Sequence, residues 1–378
     1  PKLNLNFNHS QFRDNLENID PYYATEAAFE ICGNEYSDNQ WDSMSCEIST
    51  DNNSIKFSLY PTLIGKLLRV QDYMILEIIE DIAESKPIYF AATVADRNQL
   101  GLNDYLVMEG MTYRLHFSEQ ENKINFNKMK QNLMKANNQD IIYTIEDYQN
   151  AFASGKNIYR YTNLNDTSIY YSDNIQRLVQ NYRIGFIRLA QDILLSNISD
   201  KNEQAEKLVE RMYSYFPDKK LPIEPGISLL ISDSIYAKTG NSKKQKQLLE
   251  ELFNKSIPLD TQIYLLYKFS ELADTEEIIE LVYQLLDKYN NQIDFELQKY
   301  LGDILSDSLE NDEFINLMET LLQKYPLKGM LFSLVRVYSE VGQNEKALST
   351  VKEWLTQNPM DEDLLMLYDY LVEMNSFQ

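Results

Sequence analysis

The feature that most constrains this chain is a long-range repetition. Tyr236 and Gly240 recur as Tyr338 and Gly342, 102 residues further on. That offset is three periods of about 34, the length of the tetratricopeptide repeat, in which two helices joined by a turn form one unit. The last unit is the clearest. Leu331, Leu334 and Tyr338 fall on a first helix, Gly342 makes the turn, Ala347 and Trp354 fall on a second helix, and Pro359 closes it. Ala347 stands where the helices of a pair cross closely, a place for a small side chain. Ala205 with Pro217 and Gly302 with Pro326 keep parts of this pattern, while 265–289 keeps mainly its helical period. Ahead of them, Ile175, Leu178, Val179, Tyr182, Phe186, Leu189 and Ile193 form one apolar stripe, with Asp173 expected as its cap.

The first third reads differently. Ser54–Tyr60 alternates, with Ile55, Phe57 and Leu59 on one face, as a half-buried strand does. From Asp72 to Glu84, Ile75, Ile78, Ile79 and Ile82 make a helical stripe that Pro87 ends. Residues 88–94 are apolar throughout and predict a strand buried on both faces. Tyr113, Leu115 and Phe117 alternate with Arg114, His116 and Ser118. A helix between strands is the pattern of an α/β unit. The expected fold class is therefore mixed α+β: an α/β domain over 1–121, a connector with helical pieces such as 123–136 over 122–172, and a tetratricopeptide-like helical array over 173–378.

Charge narrows the partners. With 35 Lys+Arg against 58 Asp+Glu the formal charge is −23, a field that repels nucleic acid and anionic lipid. No apolar run reaches the length of a membrane helix: Ile184–Ile198 is broken by Arg188 and Asp192, and Tyr73–Ala83 by Glu77, Glu80 and Asp81. A start at Pro1, with neither Met nor signal peptide, is expected of a segment from a longer chain. Cys32 and Cys46 lie 14 residues apart; they close a loop in an oxidising compartment and are ordinary thiols in a reducing one. Two cysteines and the distant His9 and His116 offer no metal-ligand spacing.

Catalytic motifs are missing. The chain holds no G-x-S-x-G, H-E-x-x-H or G-x-G-x-x-G, and Gly155-Lys156 is followed by Asn157 where a phosphate loop needs Ser or Thr. Carboxylate pairs such as Glu80-Asp81 are what so acidic a chain places on solvated helix faces, and His116 reads as solvated on a strand's polar face. No cofactor is implied. The 27 tyrosines say more. Tyr22-Tyr23, Tyr159, Tyr161, Tyr170 and Tyr171 lie outside the repeats, where a ring with a polar tip suits peptide or sugar contacts. The tyrosines inside the repeats read first as interhelical packing.

Five segments carry a resemblance: KPIYFAATV (86–94), LGLNDYL (100–106), EGMTYRL (109–115), DNIQRLVQNYR (173–183) and RLA (188–190). Together they resemble the C-terminal extramembrane region of a family of large bacterial multi-pass membrane proteins, itself similar to membrane glycosyltransferases of the protein O-mannosyltransferase type. The resemblance spans about residues 60–190; residues 1–50 lie outside it. It implies a chain without catalysis of its own, since donor site and catalytic acids belong to the membrane part. It also implies a place on the periplasmic side of the bacterial inner membrane, tethered through an N-terminal membrane region. Tyr105, Glu109, Gly110, Tyr113, Arg114, Asn181 and Arg183 match the family pattern, with fold maintenance ranked above ligand binding, and Glu109 with Arg114 expected to hold strand to helix.

The expected function is thus a periplasmic binding and scaffolding domain. Its expected partners are a protein or peptide acceptor, a glycan as a further candidate, and its own membrane domain. The alternatives are a stand-alone glycan hydrolase working through two carboxylates and a purely structural interaction protein.

Overall fold

A computed structural model of the chain describes residues 20–36, 41–49, 54–63, 65–82, 85–134, 159, 161, 163–289 and 292–376. His9 and the Gly155-Lys156 dipeptide lie outside them. The chain divides into two units, Pro1–Ile227 and Ser228–Gln378.

The first unit opens on helix α1 (Pro21–Ile31). Pro21 suits a first helical position, where no N–H is required, and Asp20 Oδ1 accepts from the Tyr23 N–H at 2.9 Å. Ala24, Ala28 and Phe29 turn inward. Strands β1 (Met44–Ser49) and β2 (Ser54–Leu59) form an antiparallel hairpin, with Met44 opposite Leu59 and Ser49 opposite Ser54. Strict alternation puts Met44, Cys46, Ile48, Ile55, Phe57 and Leu59 on the buried face. The Sγ atoms of Cys32, just past α1, and Cys46, in β1, are bonded at 1.98 Å and join helix to strand.

Helix α2 (Val70–Ile82) buries Tyr73, Leu76 and Ile79 in the same core. It also buries Asp72, which takes two hydrogen bonds from the Arg69 guanidinium, both at 2.9 Å, and one from Thr62 Oγ1. That fork-to-fork pairing is what makes a buried carboxylate tolerable. Strands β3 (Tyr89–Ala91), β4 (Leu106–Met108) and β5 (Thr112–Leu115) make a second sheet in the order β3-β5-β4, again antiparallel. Helix α2 therefore links strands of two different sheets and is not the crossover of a parallel unit. The strand expected to be buried on both faces is instead a short edge. Tyr89 is 45% exposed, only Phe90 of its three residues is buried, and the chain turns where the Val94 N–H reaches the Ala91 carbonyl at 2.9 Å. Helix α3 (Phe126–Met134) packs on α4 (Asp173–Leu195), which packs on α5 (Lys201–Tyr215). Ser172, not Asp173, holds the cap position of α4, and Ile175 and Leu178 in its first turns stay exposed.

From Asp173 onward the described residues hold helices only. A sixth helix, α6, runs Pro225–Ile231, passes through a π-turn at Ser232–Tyr236 and ends with Ala237–Thr239. Then follow α7 (Ser242–Phe253), α8 (Leu259–Ser270), α9 (Thr275–Tyr289), α10 (Phe295–Ser308), α11 (Asn311–Lys324), α12 (Lys328–Glu340), α13 (Asn344–Gln357) and α14 (Glu362–Ser376). Every second helix starts 33 to 36 residues after its counterpart: Pro225, Leu259, Phe295, Lys328 and Glu362. That is the tetratricopeptide-like period, now visible in backbone. Gly240 and Gly342 both end a helix in the left-handed conformation, at φ 75° and 77°. After each, the next N–H reaches back to the tyrosine carbonyl of the repeated pair: Asn241 to Tyr236 at 3.0 Å and Gln343 to Tyr338 at 2.8 Å.

Small residues set one seam of the array. A Cβ on Gly329 of α12 would lie 2.4 Å from the Phe295 carbonyl oxygen and 2.7 Å from the Lys299 nitrogen, both backbone atoms of α10. In return, a Cβ on Gly302 of α10 would meet Ser333 Oγ at 2.5 Å. Gly329→Ala must therefore push two helices apart, and its expected cost is about 1–3 kcal/mol, the range for overpacking a close-packed core. Gly226→Ala, with nothing within 4 Å of the added carbon, is the control and is expected to be neutral or slightly stabilising. Thermal unfolding of the two variants separates these outcomes.

Candidate functional site

In the first unit the loop from Val94 to Tyr105 builds the site. Two single turns, Asp96–Asn98 and Leu102–Tyr105, are joined through Leu100 and Gly101, left-handed at φ 55° and 80°. A branched side chain is costly in that conformation, and Leu100 sits there with its side chain sunk into the core. Gly101 is required twice over, since a Cβ would also lie 2.6 Å from the Ser58 carbonyl oxygen. Arg69 Nη2 donates to Asn98 at 3.0 Å and Lys123 Nζ to Asp104 at 2.9 Å, tying the loop down on both sides.

The loop forms a wall between two cavities. One, of about 510 Å³, is lined by Tyr113, Glu121, Lys123, Arg188, Gln191 and Asp192 among others. The other, of about 540 Å³, is lined by Tyr60, Thr62, Arg69, Arg97 and their neighbours. Asp96 and Asn103 line both. Arg188 and Asp192 stand one turn apart on α4. The Arg188 guanidinium donates to the Tyr113 hydroxyl and lies 5.6 Å from the centre of that ring, while burial raises the Asp192 carboxyl above its usual range. Carboxylates, carboxamides, one guanidinium and one phenol are suited to a polar ligand with several hydrogen-bonding groups. Among the described residues, neither cavity is lined by serine, cysteine or histidine. No cluster of ligands suited to a metal occurs among the described residues, and none of their helices is long and apolar enough to cross a membrane.

Of the candidate site residues named from the sequence, Tyr113 lines the first of these two cavities, and the other described ones line neither. The Tyr105 hydroxyl is bound to the Lys56 backbone, donating to its carbonyl at 2.9 Å and accepting from its N–H at 3.1 Å. Glu109 is buried and accepts from Asn125 at 3.1 Å; among the described residues it forms no pair with Arg114, which stays in β5 opposite Tyr89 and Val107. The Tyr159 hydroxyl accepts from the Met111 N–H at 2.8 Å and fills the space where Gly110, at φ 109°, lacks a side chain. Tyr161 is buried among Tyr182, Phe186, Tyr215 and Phe216. Tyr170 is 82% exposed, Tyr171 donates to the Asn163 carbonyl at 2.9 Å, and Asn181 donates to the Leu178 carbonyl of its own helix. His116 is half-buried where the alternation suggests a solvated side chain: its buried Nε2 has no partner among the described residues, and burial with the nearby Arg114 lowers its pKa.

Arg183 is fully buried and has no carboxylate in its hydrogen bonds. It donates to the Phe216 carbonyl at 2.9 Å, the Leu221 carbonyl at 2.5 Å and Gln180 Oε1 at 3.0 Å. Phe216 caps the C-terminus of α5, where the helix dipole is negative, so carbonyl oxygens add to the nearby Asp218 and Glu224 charges in holding the guanidinium.

The signal for Arg188 and Asp192 was present in the sequence. They are the two charges, four residues apart, that interrupt an otherwise apolar stretch.

The second unit carries a tyrosine patch on successive first helices. Tyr264, 39% exposed, and Tyr267 of α8 stand beside Tyr300 of α10, 37% exposed. The Tyr267 and Tyr300 rings are 6.1 Å apart, and Lys268 Nζ lies 5.9 and 5.7 Å from the Tyr264 and Tyr267 rings. Sequence reading assigned the repeat tyrosines to packing, and this holds for Tyr236, Tyr325 and Tyr338, which are buried.

Arg183→Met would strand the Phe216 and Leu221 carbonyls. The expected loss is about 1–3 kcal/mol for each buried group left unpaired, read from the urea midpoint, with Arg183→Lys in between.

Comparison with known proteins adds the following. The family model for TMEM260-associated domain 2 matches residues 39–133. No curated protein matches the chain. Among solved structures, MamA AMB-1 aligns at 19% identity over 52% of this chain and 98% of its own, with a TM-score of 0.26. MamA MSR-1 aligns at 15% identity over 51% and 98%, with a TM-score of 0.25. TM-scores of this size establish no common fold. The match that bears on identity is that of residues 39–133 to the TMEM260-associated domain 2.

Proposed function

We propose that this chain is a non-catalytic scaffold of a membrane protein O-glycosyltransferase-like protein, on the periplasmic side of the inner membrane, and that its helical array holds an acceptor protein or peptide. The observation that carries this reading is the exposed tyrosine patch on α8 and α10. Exposed aromatic rings with a polar tip are the residues that dominate peptide and protein binding, and helical repeats present them along one surface. The match to TMEM260-associated domain 2 supports the membrane association, and the Cys32–Cys46 bond supports an oxidising compartment. Tyr264→Ala combined with Tyr300→Ala is expected to weaken capture of extended peptides tiled from secreted proteins by about 30-fold, the loss of roughly 2 kcal/mol at a binding hot spot. Calorimetry checks it. An unchanged affinity in the double variant, with the fold intact, sinks the assignment.

A second reading has one observation in its favour. Asp96, Glu121 and Asp192 line one cavity, and Asp192 is the carboxyl that burial raises, as a general acid requires. A glycan hydrolase would turn over a panel of glycosides and lose that turnover in Asp192→Asn. Absence of turnover in the unaltered chain retires this reading.

A further inference from the structure

Arg188 and Asp192 are half-buried, stand one turn apart on α4 and line the same cavity of about 510 Å³, yet they do not pair. Opposite charges at this spacing ordinarily close on each other. Here Arg188 turns away. Its Nη1 donates to the Tyr113 hydroxyl and lies 3.6 Å from Met108 Sδ, while its Nη2 and Nε have no hydrogen bond among the described residues. The Asp192 carboxyl oxygens likewise find no donor among the described residues, and burial raises that carboxyl. A charge held partly out of water without a counter-charge is costly, and two such charges share one cavity wall. A guanidinium with its Nε and Nη2 edge open is the fork that takes a carboxylate through two parallel hydrogen bonds.

Charge balance narrows the ligand. Asp96 and Glu121 also line the cavity without an ion pair among the described residues, whereas Lys123 is taken by Asp104 at 2.9 Å. Three unmatched carboxylates thus accompany one unmatched guanidinium. A phosphate or a dicarboxylate would be repelled by the three acids, and a neutral sugar would leave every charge without a counter-charge. A ligand with one carboxylate and two cationic groups satisfies Arg188 and two of the acids. The third acid stays solvated, since both Asp96 and Glu121 are exposed. Leu106 and Ile124 add apolar lining, which suits a methylene stem between the charged ends.

We propose that this cavity binds a free basic amino acid of the lysine type, with its carboxylate on Arg188 Nε and Nη2, its α-ammonium on Asp192 and its side-chain ammonium at Asp96 or Glu121. The site lies wholly in the first unit and does not depend on the tyrosine patch, so the Tyr264 and Tyr300 substitutions leave it intact and the two ideas fail independently. It also involves no bond cleavage, which separates it from the hydrolase reading of the same carboxylates.

Calorimetry on the whole chain compares L-lysine, cadaverine (the same diamine without the carboxylate), L-glutamate and methyl glycosides. The unaltered chain is expected to bind L-lysine about tenfold more tightly than cadaverine, the contribution of one charge-assisted pair, and L-glutamate more weakly than either. Arg188→Met is expected to erase the difference between L-lysine and cadaverine, and Asp192→Asn to weaken L-lysine by about tenfold. Because the lysine-to-cadaverine ratio is read on the unaltered chain, a variant that fails to fold leaves the test decisive. Any of four results overturns the proposal: no binding of L-lysine, cadaverine bound as tightly as L-lysine, a glycoside bound more tightly than L-lysine, or a folded Arg188→Met variant that keeps the full difference.

Discussion

A helical pair cannot hide all of its apolar surface by itself. Each first helix of this array has one side for the preceding unit and another for its own partner, so every pair depends on its neighbours for its core. The dependence is written in Tyr338 of α12, which is buried, donates its hydroxyl to Glu319 of α11 and has Lys346 of α13 within 5.8 Å of its ring. It governs composition as well. Glycine is kept at 329 because the backbone of α10 approaches too closely for any side chain, at 302 because the Ser333 side chain fills the space a Cβ would need, and at 240 and 342 because the helix must reverse within a residue.

The first unit solves its packing by other means. Its sheets are a hairpin and three short strands, too small to close a core by area alone, and they are held by fixed points. The Cys32–Cys46 bond joins α1 to β1, and the Arg69–Asp72 fork anchors the start of α2 while reaching the loop at Asn98. In α4 the Arg183 guanidinium gathers the chain between Phe216 and Leu221. Most of these are polar contacts with fixed geometry, which place a loop more narrowly than apolar burial can. The left-handed pair Leu100-Gly101 survives among them because the surroundings leave no room for a relaxed backbone.

How much of this was legible depended on whether the cause was local. The repeat spacing, the turn glycines and the alternation of 54–59 and 112–115 are periodic signals, and the structure places helices, left-handed turns and strands there. The strand Met44–Ser49 alternates too, with Met44, Cys46 and Ile48 against Ser45, Glu47 and Ser49, but its two serines and one glutamate are residues of low strand propensity and blunt the signal. The role of Arg183 was hidden because its acceptors are backbone oxygens 33 and 38 residues away, which no residue type announces. The bonds of Tyr105 and Tyr159 were hidden for the same reason: each hydroxyl is held by a backbone group about 50 residues distant in sequence, the fold-maintaining role ranked first for Tyr105. The cavities were out of reach altogether, since one arises where the 94–105 loop, the second sheet and α4 meet, and the other between that loop and residues 59–69. Only the Arg188–Asp192 interruption hinted at them.

The seam between α10 and α12 has one more consequence. In an array held by nearest-neighbour terms, cooperativity is local, and the tightest interface decides which units melt as a block. Backbones in close approach at Gly329, with the Ser333 side chain seated against Gly302, cannot separate gradually, because a small displacement loses the whole interlock. The two units they belong to therefore open as one foldon, while helices toward either end exchange their amide protons earlier and independently of each other.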